Sequence, residues 1–444
     1  MNLIGITLTL LFSAAVLFLP RRLAALGVFA AVCYITQGQG ITVGGFHFFA
    51  QRIVLLAGFI RILTRGELRT LKLNKIDLAL LAFAIFTSVV PGIRLGVWQE
   101  QIGNIYNILL SYFVFRCLIT NWEDIQELLP KLAILIIPLA LCMIYESRTG
   151  TNVFNGMGGQ PTEWLRDGRY RCIGSFRGPH SAGILGATLM PLYVCLFFGH
   201  VQRRAAIAGL IAATAITYTA NSSGPLMAYL SGLVGLAFWP LRKDMRRVRW
   251  AIVVAVLGLA IFMNAPIWYI LAKVSDIAGG DGWYRSYLME QCCKHFSDWW
   301  LLGTDNTANW AATGMPWGGA DLCNLYVSCA AGAGLGGLIL IILLLVRCFS
   351  YLGLALKTAR DILPESEGLL WCCGCVLFAH VCTLFSVTYY DQIIVVWWGL
   401  LAMISSVTSS ILAQPVVVAT TEGEVEIHQA QIAASKESRP AVAD

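Results

Sequence analysis

Charge is what this sequence has least of. Only 13% of its 444 residues are Asp, Glu, Lys or Arg, whereas soluble globular domains carry about 25%. Hydrophobic residues make up 57% of the chain, and its mean hydropathy is +0.70. This balance excludes a soluble protein. It predicts an all-α, polytopic integral membrane helix bundle whose main surroundings are a lipid bilayer.

Signals for secretion, metal binding and nucleic-acid binding are also missing. Met1-Asn2-Leu3 lacks a basic region and no small-residue cleavage site follows, so we expect no cleavable signal peptide. The run Cys372-Cys373-Gly374-Cys375 lies in an apolar stretch without a His or carboxylate partner, so no metal site is predicted there. The net charge of +6 follows the loops between apolar segments, so no nucleic-acid partner is expected.

Apolar stretches that could cross about 30 Å of hydrocarbon recur along the chain. We count thirteen, or twelve if the two short segments around Pro20-Arg21-Arg22 form one irregular element. They lie near 3–19, 23–37, 46–64, 76–92, 101–119, 130–145, 180–198, 205–220, 225–240, 250–265, 322–346, 369–388 and 391–412. Residues 1–412 are therefore predicted to be one transmembrane domain, and the polar residues 413–444 a disordered cytoplasmic tail.

Basic residues predict the orientation, because loops rich in Lys and Arg stay in the cytoplasm. If residues 65–75 are cytoplasmic, alternation of the spans also places 242–249 and the tail there. Two long connections, 146–179 and 266–320, then lie on the exoplasmic side. Because loops carry function on a rigid scaffold, we expect the chemistry in these two loops.

Arginines crowd the first of these loops, although exoplasmic loops are normally poor in basic residues. They are Arg148, Arg166, Arg169, Arg171 and Arg177. Guanidinium groups match phosphate oxygens bidentately and stay charged, so a diphosphate is the predicted ligand. Contact with lipid headgroups, or local pairing with Glu163 and Asp167, is the alternative. His180, at the start of the next span, could cap that span or take part in catalysis.

The second loop combines charged and aromatic residues. It contains Arg285 and His295, and it leads to Asp321, Asn324 and Tyr326 at the mouth of the next span. Six of the fourteen tryptophans fall between residues 268 and 317. Flat aromatic rings suit sugars, but tryptophan is also common at membrane interfaces, and both interpretations stay open.

Polar residues also occur in a short turn and inside the spans. The turn at 221–225 carries Ser222 and Ser223, which could serve only the turn or contact a substrate. Asn104, Asn107 and Ser111 recur at helical spacing in the span 101–119. Such a stripe either forms hydrogen bonds between helices or lines a substrate path.

The order of several short motifs resembles the O-antigen ligase and polymerase superfamily of bacterial envelope glycan assembly. The motifs are Arg171-x-x-Gly174-x-Phe176-x-x-Pro179-x-x-x-Gly183, Ser222-Ser223-Gly224-Pro225, Arg285, Asn324-x-Tyr326 and Gly334-x-x-Gly337. The likeness covers roughly residues 46–412. It depends on the order and topology of the motifs, because no single one of them is highly specific.

This resemblance implies a metal-independent glycosyltransferase in the bacterial inner membrane, with its active site on the periplasmic face. The donor would be an undecaprenyl-diphosphate-linked glycan and the other substrate an acceptor glycan, with no cofactor. Loop arginines in the family serve the diphosphate, a role that carries over here onto Arg171 and Arg285. We expect an inverting transfer in which the lipid diphosphate leaves.

One position departs from the family pattern. The ligase branch usually has a His immediately before the Asn of the last motif, where this chain has Cys323. A thiol is a poor base for a sugar hydroxyl, so we expect a polymerase of exopolysaccharide or O-antigen repeat units. A ligase that transfers the glycan to another acceptor is the alternative. Asp321 is the nearby carboxylate that could act as general base.

The predicted site therefore has two groups of residues. The predicted catalytic residues are Arg171, Arg285 and Asp321. The predicted substrate-binding residues, of which His180 and His295 are also reserve bases, are Arg169, Arg177, His180, Ser222, Ser223, His295, Asn324 and Tyr326. No metal ligand is among them.

Functions of two other classes stay open. A transporter or flippase of a lipid-linked or anionic solute would also be polytopic, although transporters often place their polar groups at the midplane of the membrane. A non-catalytic scaffold within an envelope assembly complex is the other. If the chain is a polymerase, a chain-length regulator and a flippase are candidate partner proteins.

Overall fold

Helices make up nearly all of the structure. The computed structural model describes residues 1–43, 46–162, 165–199, 202–273, 281–311, 320–419 and 425–429. In these ranges the α-helices are α1 (Leu3–Phe18), α2 (Arg21–Tyr34), α3 (Ala50–Thr64), α4 (Lys75–Leu95), α5 (Trp98–Leu118), α6 (Trp122–Thr149), α7 (Pro179–Phe198), α8 (Arg203–Thr219), α9 (Ser223–Ala237), α10 (Met245–Phe262), α11 (Gly282–Lys294), α12 (Phe296–Trp299), α13 (Leu325–Ile362), α14 (Pro364–Thr383) and α15 (Gln392–Leu412). The predicted all-α membrane bundle is confirmed.

Each of the thirteen predicted spans overlaps one of these helices, while α11 and α12 lie in the loop before α13. Six helices, namely α4, α6, α7, α13, α14 and α15, are individually long and apolar enough to cross a membrane. The pair α10 and Ile267–Lys273, bent by 98°, would add a seventh. This number is smaller than the predicted twelve or thirteen, because several helices are shorter than the roughly 20 residues that a span needs, and α5, with 21 residues, is not apolar enough. The chain is a multi-pass membrane protein.

Short antiparallel hairpins are the other regular structure. Strand β1 (Gly40–Val43) pairs with β2 (Phe46–Phe49), so the span predicted from residue 46 begins as a strand and becomes helical only at Ala50. Strands β3 (Leu165–Arg166) and β4 (Arg169–Tyr170) form a second hairpin. In the tail, β5 (Pro415–Ala419) pairs with β6 (Val425–Gln429), where the sequence predicts disorder; residues 420–424 and 430–444 lie outside the described residues.

A buried polar network joins α4, α5 and α15 at the end of the bundle opposite the two long loops. Arg116 pairs with Asp77 at 3.2 Å, and both side chains are nearly inaccessible to solvent. The same carboxylate accepts hydrogen bonds from the hydroxyls of Tyr112 and Ser405. Breaking a buried ion pair by removing one partner costs about 3–5 kcal/mol, so this network fixes the three helices relative to one another.

Helix α13 is broken within its first third. The break lies toward the end of the bundle that carries residues 146–179 and 266–320, and we call that end of the bundle the loop end. Ala333 and Gly334 leave helical geometry, and Gly334 has a φ of +69°. The segment after α12 inserts at the break, where the N–H of Leu335 donates to the carbonyl of Trp300 at 2.9 Å. A Cβ at Gly334 would lie 2.4 Å from the carbonyl oxygen of Leu301.

Arg94, at the end of α4, reinforces this junction. Its Nη1 donates to the carbonyl oxygens of Leu302 and, at 3.5 Å, of Ala331. Farther along α13, a Cβ on Gly336 would lie 2.5 Å from the ring of Phe86 on α4. Arg94 and Gly336 thus hold α4 close to both halves of the broken helix, at the loop end.

Candidate functional site

One buried carboxylate organises the loop between α6 and α7. Oε1 of Glu146 accepts hydrogen bonds from the backbone N–H of Ile173 at 2.9 Å and from the hydroxyl of Thr162 at 2.7 Å. Its Oε2 accepts from the backbone N–H of Gly174 at 2.9 Å. Glu146 is only 1% exposed, so these bonds are shielded from water and fix the loop against the end of α6.

The backbone from Cys172 to Phe176 is buried and bonded on several sides. The N–H of Cys172 donates to the carbonyl of Thr219 at 3.1 Å, and the hydroxyl of Ser175 donates to the carbonyl of Cys33 at 2.7 Å. Gly174 has a φ of +57°, in the left-handed region that glycine adopts without a steric penalty. Arg171 and Arg177 therefore flank a backbone segment that is held in place.

The turn between α8 and α9 supports the same loop. The amide of Asn221 donates to the carbonyls of Arg166 at 3.1 Å and Arg169 at 3.3 Å, and so holds the β3–β4 hairpin. Nη2 of Arg171 donates to the hydroxyl of Ser222 at 3.4 Å. The structure thus brings Ser222 to Arg171, while Ser223 is the first residue of α9.

Arg171 lies among other charges and is half-buried. Burial lowers the pKa of its guanidinium, the charges of Arg166 and Arg285 lower it further, and Asp281 opposes them. Its Nε is buried, and no described residue forms a hydrogen bond with it. Because arginine remains charged even so, three guanidinium groups act here against one carboxylate. An anion would neutralise this excess of positive charge.

Arg285, on α11, contacts the segment that follows α14 and the segment that precedes α13. Its Nε donates to the carbonyl of Ser386 at 3.1 Å, and its guanidinium interacts with the thiol of Cys323. Burial raises the pKa of this thiol to about 11, although Arg285 opposes the rise. Cys323, which stands where the family pattern has His, is therefore a neutral thiol at physiological pH and lacks the basicity of imidazole.

His180 lies close to both Arg171 and Arg285. The charges of both Arg171 and Arg285 act on its ring. The ring packs edge-on against Tyr390, with centroids 5.1 Å apart. Nε2 of His180 is buried without a hydrogen-bond partner among the described residues. Arg171, Arg285, His180 and Ser222 thus form one cluster at the loop end, which we call the arginine site.

Asp321 borders the arginine site and remains exposed. Its charge acts on both Cys323 and Tyr390. Its backbone carbonyl accepts a hydrogen bond from the hydroxyl of Tyr284 at 3.1 Å. No described residue donates a hydrogen bond to its carboxylate, so its oxygens are free to accept a hydrogen bond from a bound group.

Arg177 pairs with a carboxylate that sequence reasoning missed. Its Nη1 lies 3.7 Å from Oδ2 of Asp391, at the start of α15. Asp391 has a φ of +56°, a strained conformation for a residue other than glycine. Arg177 also lies over the ring of Tyr390, at 5.9 Å from the centroid. Through Tyr390, this pair adjoins His180.

The Asn324-x-Tyr326 motif caps and anchors the N-terminus of α13. Oδ1 of Asn324 caps α13 by accepting from the N–H groups of Tyr326 at 2.9 Å and Val327 at 3.3 Å. The hydroxyl of Tyr326 donates to the carbonyl of Val381 on α14 at 3.2 Å. These contacts position the polypeptide that carries Asp321 and Cys323. The Nδ2 of Asn324 is buried and has no hydrogen-bond partner among the described residues.

Two further predicted residues contact neighbours outside the cluster. The guanidinium of Arg169 lies 4.4 Å from the ring centroid of Tyr218 on α8. Nδ1 of His295 lies 3.1 Å from Oδ2 of Asp298, and its ring stacks on Trp310 with the ring centroids 6.1 Å apart. Glu163, a predicted partner of the loop arginines, lies outside the described residues.

The sequence contains only weak signals for the two residues that sequence reasoning missed, Glu146 and Asp391. Glu146 ends an apolar stretch, where a carboxylate is costly unless it is bonded. Asp391 likewise precedes the last apolar stretch. Neither position reveals its partners, which come from distant parts of the chain. Within the described residues, no three His, Cys, Asp or Glu side chains form a group that could hold a metal ion.

No protein-family model and no curated protein matches the chain. The case for a function therefore depends on the residues of the arginine site and their surroundings.

Proposed function

We propose that this chain is a glycosyltransferase of the bacterial inner membrane that polymerises lipid-linked repeat units of exopolysaccharide or O-antigen on the periplasmic face. The observation that carries the proposal is the arginine site. There Arg171, Arg285 and His180 come together from three separate segments, and Arg171 is half-buried beside two other positive charges. A diphosphate has the charge and the acceptor oxygens that such a site lacks.

In the proposed reaction, a hydroxyl of the acceptor sugar attacks the anomeric carbon of the donor glycan. The bond from that carbon to the diphosphate oxygen breaks, and the lipid diphosphate leaves with the bonding electrons. A base takes the proton of the attacking hydroxyl. Negative charge grows on the leaving oxygen, so guanidinium groups already aimed at it stabilise the transition state more than the bound substrate.

Arg171 and Arg285 are the residues proposed to hold the diphosphate. Their setting is partly shielded from water, where solvent and salt screen a charge less than at the surface. Removing one preorganised donor to an oxyanion costs about 2.7–4 kcal/mol in other enzymes. Ser222 would add a hydroxyl contact beside Arg171, and Nε2 of His180 would find a partner in the substrate.

Asp321 is the proposed general base. Its carboxylate is exposed, has no described donor, and its charge acts on two residues of the surrounding wall, Cys323 and Tyr390. A positioned base contributes about 10²–10⁴-fold to a rate. Asp321→Asn should therefore abolish most transfer while the donor still binds; unchanged turnover would remove Asp321 from this role.

The direct test is chain extension by purified Arg171→Ala and Arg285→Ala variants. Each should extend lipid-linked glycan about 10²–10³-fold more slowly than wild type. Arg148→Ala is the matched control, because Arg148 is an exposed arginine in the last turn of α6, and it should retain activity. Full activity in folded Arg171→Ala and Arg285→Ala proteins would refute the proposal.

A ligase uses the same donor chemistry, and a transporter of a lipid-linked or anionic solute would also need a site for the charge of that solute. A deletion strain separates these functions by electrophoresis of its surface glycan. Single-repeat material indicates a lost polymerase, and unattached polymer indicates a lost ligase. Precursor that accumulates at the cytoplasmic face indicates lost transport.

A further inference from the structure

A cavity of about 330 Å³ opens among α4, α5, α13 and α15 at the loop end. Its volume lies within the range of about 300–1,000 Å³ typical of small-molecule sites. Polar side chains in its lining come from three of these helices. They are Ser88 and Arg94 on α4, Gln101, Asn104 and Asn107 on α5, and Ser328 on α13. Aromatic rings of Phe83, Tyr389, Trp397 and Trp398 complete the wall.

A smaller cavity of about 70 Å³ adjoins the first, since Asn107 and Ile394 line both. Its other polar lining residues are Gln37, Gln51, Arg52 and Asp391. Nε of Arg52 donates to Oδ1 of Asn107 at 2.8 Å. Asp391 also pairs with Arg177, which lies over the ring of Tyr390, and that ring packs against His180 of the arginine site.

Several buried polar atoms without a hydrogen-bond partner lie in these walls. Among the described residues, Ser88 Oγ, Arg94 Nε and Trp397 Nε1 belong to the larger cavity, and Gln37 Oε1 and Gln51 Nε2 belong to the smaller one. Ser88 is 1% exposed and Gln51 is 6% exposed. Leaving such atoms unbonded is costly, so a bound group that bonds them would be stabilised.

The unbonded atoms indicate the chemistry of that group. Some can only donate, as in arginine, tryptophan and the amide nitrogen, and the amide oxygen can only accept. A hydroxyl does both. The charges of Arg52 and Asp391 are opposite, and Nη1 of Arg94 is already held by the carbonyl of Leu302. A ligand with many hydroxyls and an apolar ring face fits better than an ion.

We propose that the two adjoining cavities form a sugar-binding site, in which the hydroxyls of a saccharide bond the unpartnered atoms while its ring packs on the aromatic wall. That the saccharide is the acceptor end of the growing glycan rests on the function proposed above. The position of Asp391, between the smaller cavity and Arg177, would bring an acceptor hydroxyl toward the donor diphosphate.

Sugar binding can be measured on the full chain in lipid nanodiscs, which carry no sugar-headed detergent. Saturation-transfer NMR would use the methyl glycosides of glucose, galactose, mannose and N-acetylglucosamine, with glucuronate as the acidic counterpart. At least one should bind wild type. Asn104→Leu and Gln51→Leu should each weaken that binding about ten-fold, because each removes an amide that bonds a hydroxyl.

Gln99→Leu is the matched control, because Gln99 is an exposed amide of α5 outside the lining, and it should bind as wild type does. Two lining positions are tested so that misfolding of one variant does not decide the outcome. If no glycoside binds wild type, or if both lining variants bind as well as wild type, the cavities hold only water and the proposal is overturned. Preference for glucuronate over the neutral glycosides would also support the sugar site and would identify its sugar as acidic.

The same variants separate this site from the proposed reaction. Arg171→Ala should lose chain extension yet bind the glycoside normally. Glycoside binding in a wild-type protein that extends no glycan would contradict the glycosyltransferase while leaving the sugar site intact. Chain extension that persists with wild-type KM in Asn104→Leu and Gln51→Leu would contradict the sugar site alone.

Discussion

At the scale of single residues, Glu146 determines the shape of the arginine loop. Glu146→Gln keeps one acceptor oxygen but turns an N–H₂ group toward the N–H of Ile173 or Gly174, so a buried donor loses its partner. The free energy of unfolding should fall by about 1–3 kcal/mol, and chain extension should slow because Arg171 is less well held. Thermal unfolding in nanodiscs and the rate of extension measure these two effects.

Glu123→Gln serves as the control for that change, because Glu123 is an exposed residue in the first turn of the same helix. It should leave both quantities as in wild type. A Glu146→Gln protein with wild-type stability would show that the three bonds to Glu146 do not hold the loop.

Because the pKa of Asp391 is shifted in the folded protein, the free energy of unfolding should depend on pH. Burial, the largest cause, raises the pKa of its carboxyl above the ordinary 3.8, against the lowering effects of Arg177 and Arg52. The folded state therefore favours the neutral carboxyl more than the unfolded state does. This stabilisation is complete below the unfolded pKa and is lost as pH rises through the folded value. Asp391→Asn is neutral at every pH and should unfold at a higher temperature than wild type near neutral pH.

The difference between wild type and Asp391→Asn should shrink as the pH falls through the raised pKa of Asp391, because the wild-type carboxyl then becomes neutral as well. Asparagine has the same size and branching as aspartate, so the backbone of this variant needs no change. Melting curves of both proteins across this pH range are the measurement. A variant less stable than wild type near neutral pH would show that the ion pair with Arg177 outweighs burial.

Sequence reasoning identified the charged residues of the site better than the residues that position them. Arg171 could be named because basic residues in a loop predicted to be exoplasmic contradict the usual charge bias. Arg285 was named from the family resemblance, and His180 from its position at the start of a span. Glu146 and Asp391 could not, because their partners are backbone groups and side chains brought close only by the tertiary fold. Asn324 was named from its motif, and its visible contacts are those of a helix cap.

At the scale of elements, the break in α13 links the second long loop to α4. Gly334→Ala should lower the free energy of unfolding by about 1–3 kcal/mol, because the residue has positive φ and such strain costs this much. The new Cβ would also meet the carbonyl of Leu301. Thermal unfolding in nanodiscs tests this expectation.

Gly353→Ala is the control on the same helix, because a Cβ at Gly353 would meet no atom within 4 Å. It should be neutral or slightly stabilising, since alanine favours helix over glycine by about 1 kcal/mol. Equal stability of the two variants would show that the break tolerates a side chain.

The elements themselves were largely predictable, and their irregularities were not. Long apolar stretches locate helices because each span must satisfy its own backbone hydrogen bonds. The hairpin of residues 40–49 and the break at Ala333 and Gly334 depend on contacts with other segments. The sequence pattern Gly-Ala-Gly-Leu-Gly-Gly in α13 is equally compatible with an unbroken helix.

At the scale of the whole molecule, the polar groups with a proposed use all lie at the loop end. The opposite end is closed by the buried pair of Arg116 and Asp77. The two adjoining cavities run from inside the bundle to the ion pair of Asp391 and Arg177. A lipid-linked donor and a hydroxyl-bearing acceptor would therefore meet at one face of the membrane, as the proposed transfer requires.

The central claim is that Arg171 and Arg285 bind a lipid diphosphate, and binding of undecaprenyl diphosphate tests it most directly. Wild type in nanodiscs should bind this lipid more tightly than undecaprenol, which has the same tail without the diphosphate. The Arg171→Ala/Arg285→Ala double variant should lose at least roughly 100-fold in Kd, because each hydrogen bond to a charged group contributes about 1.5–3 kcal/mol. Equal affinity of wild type for the two lipids, or an unchanged Kd in the folded double variant, would contradict the account.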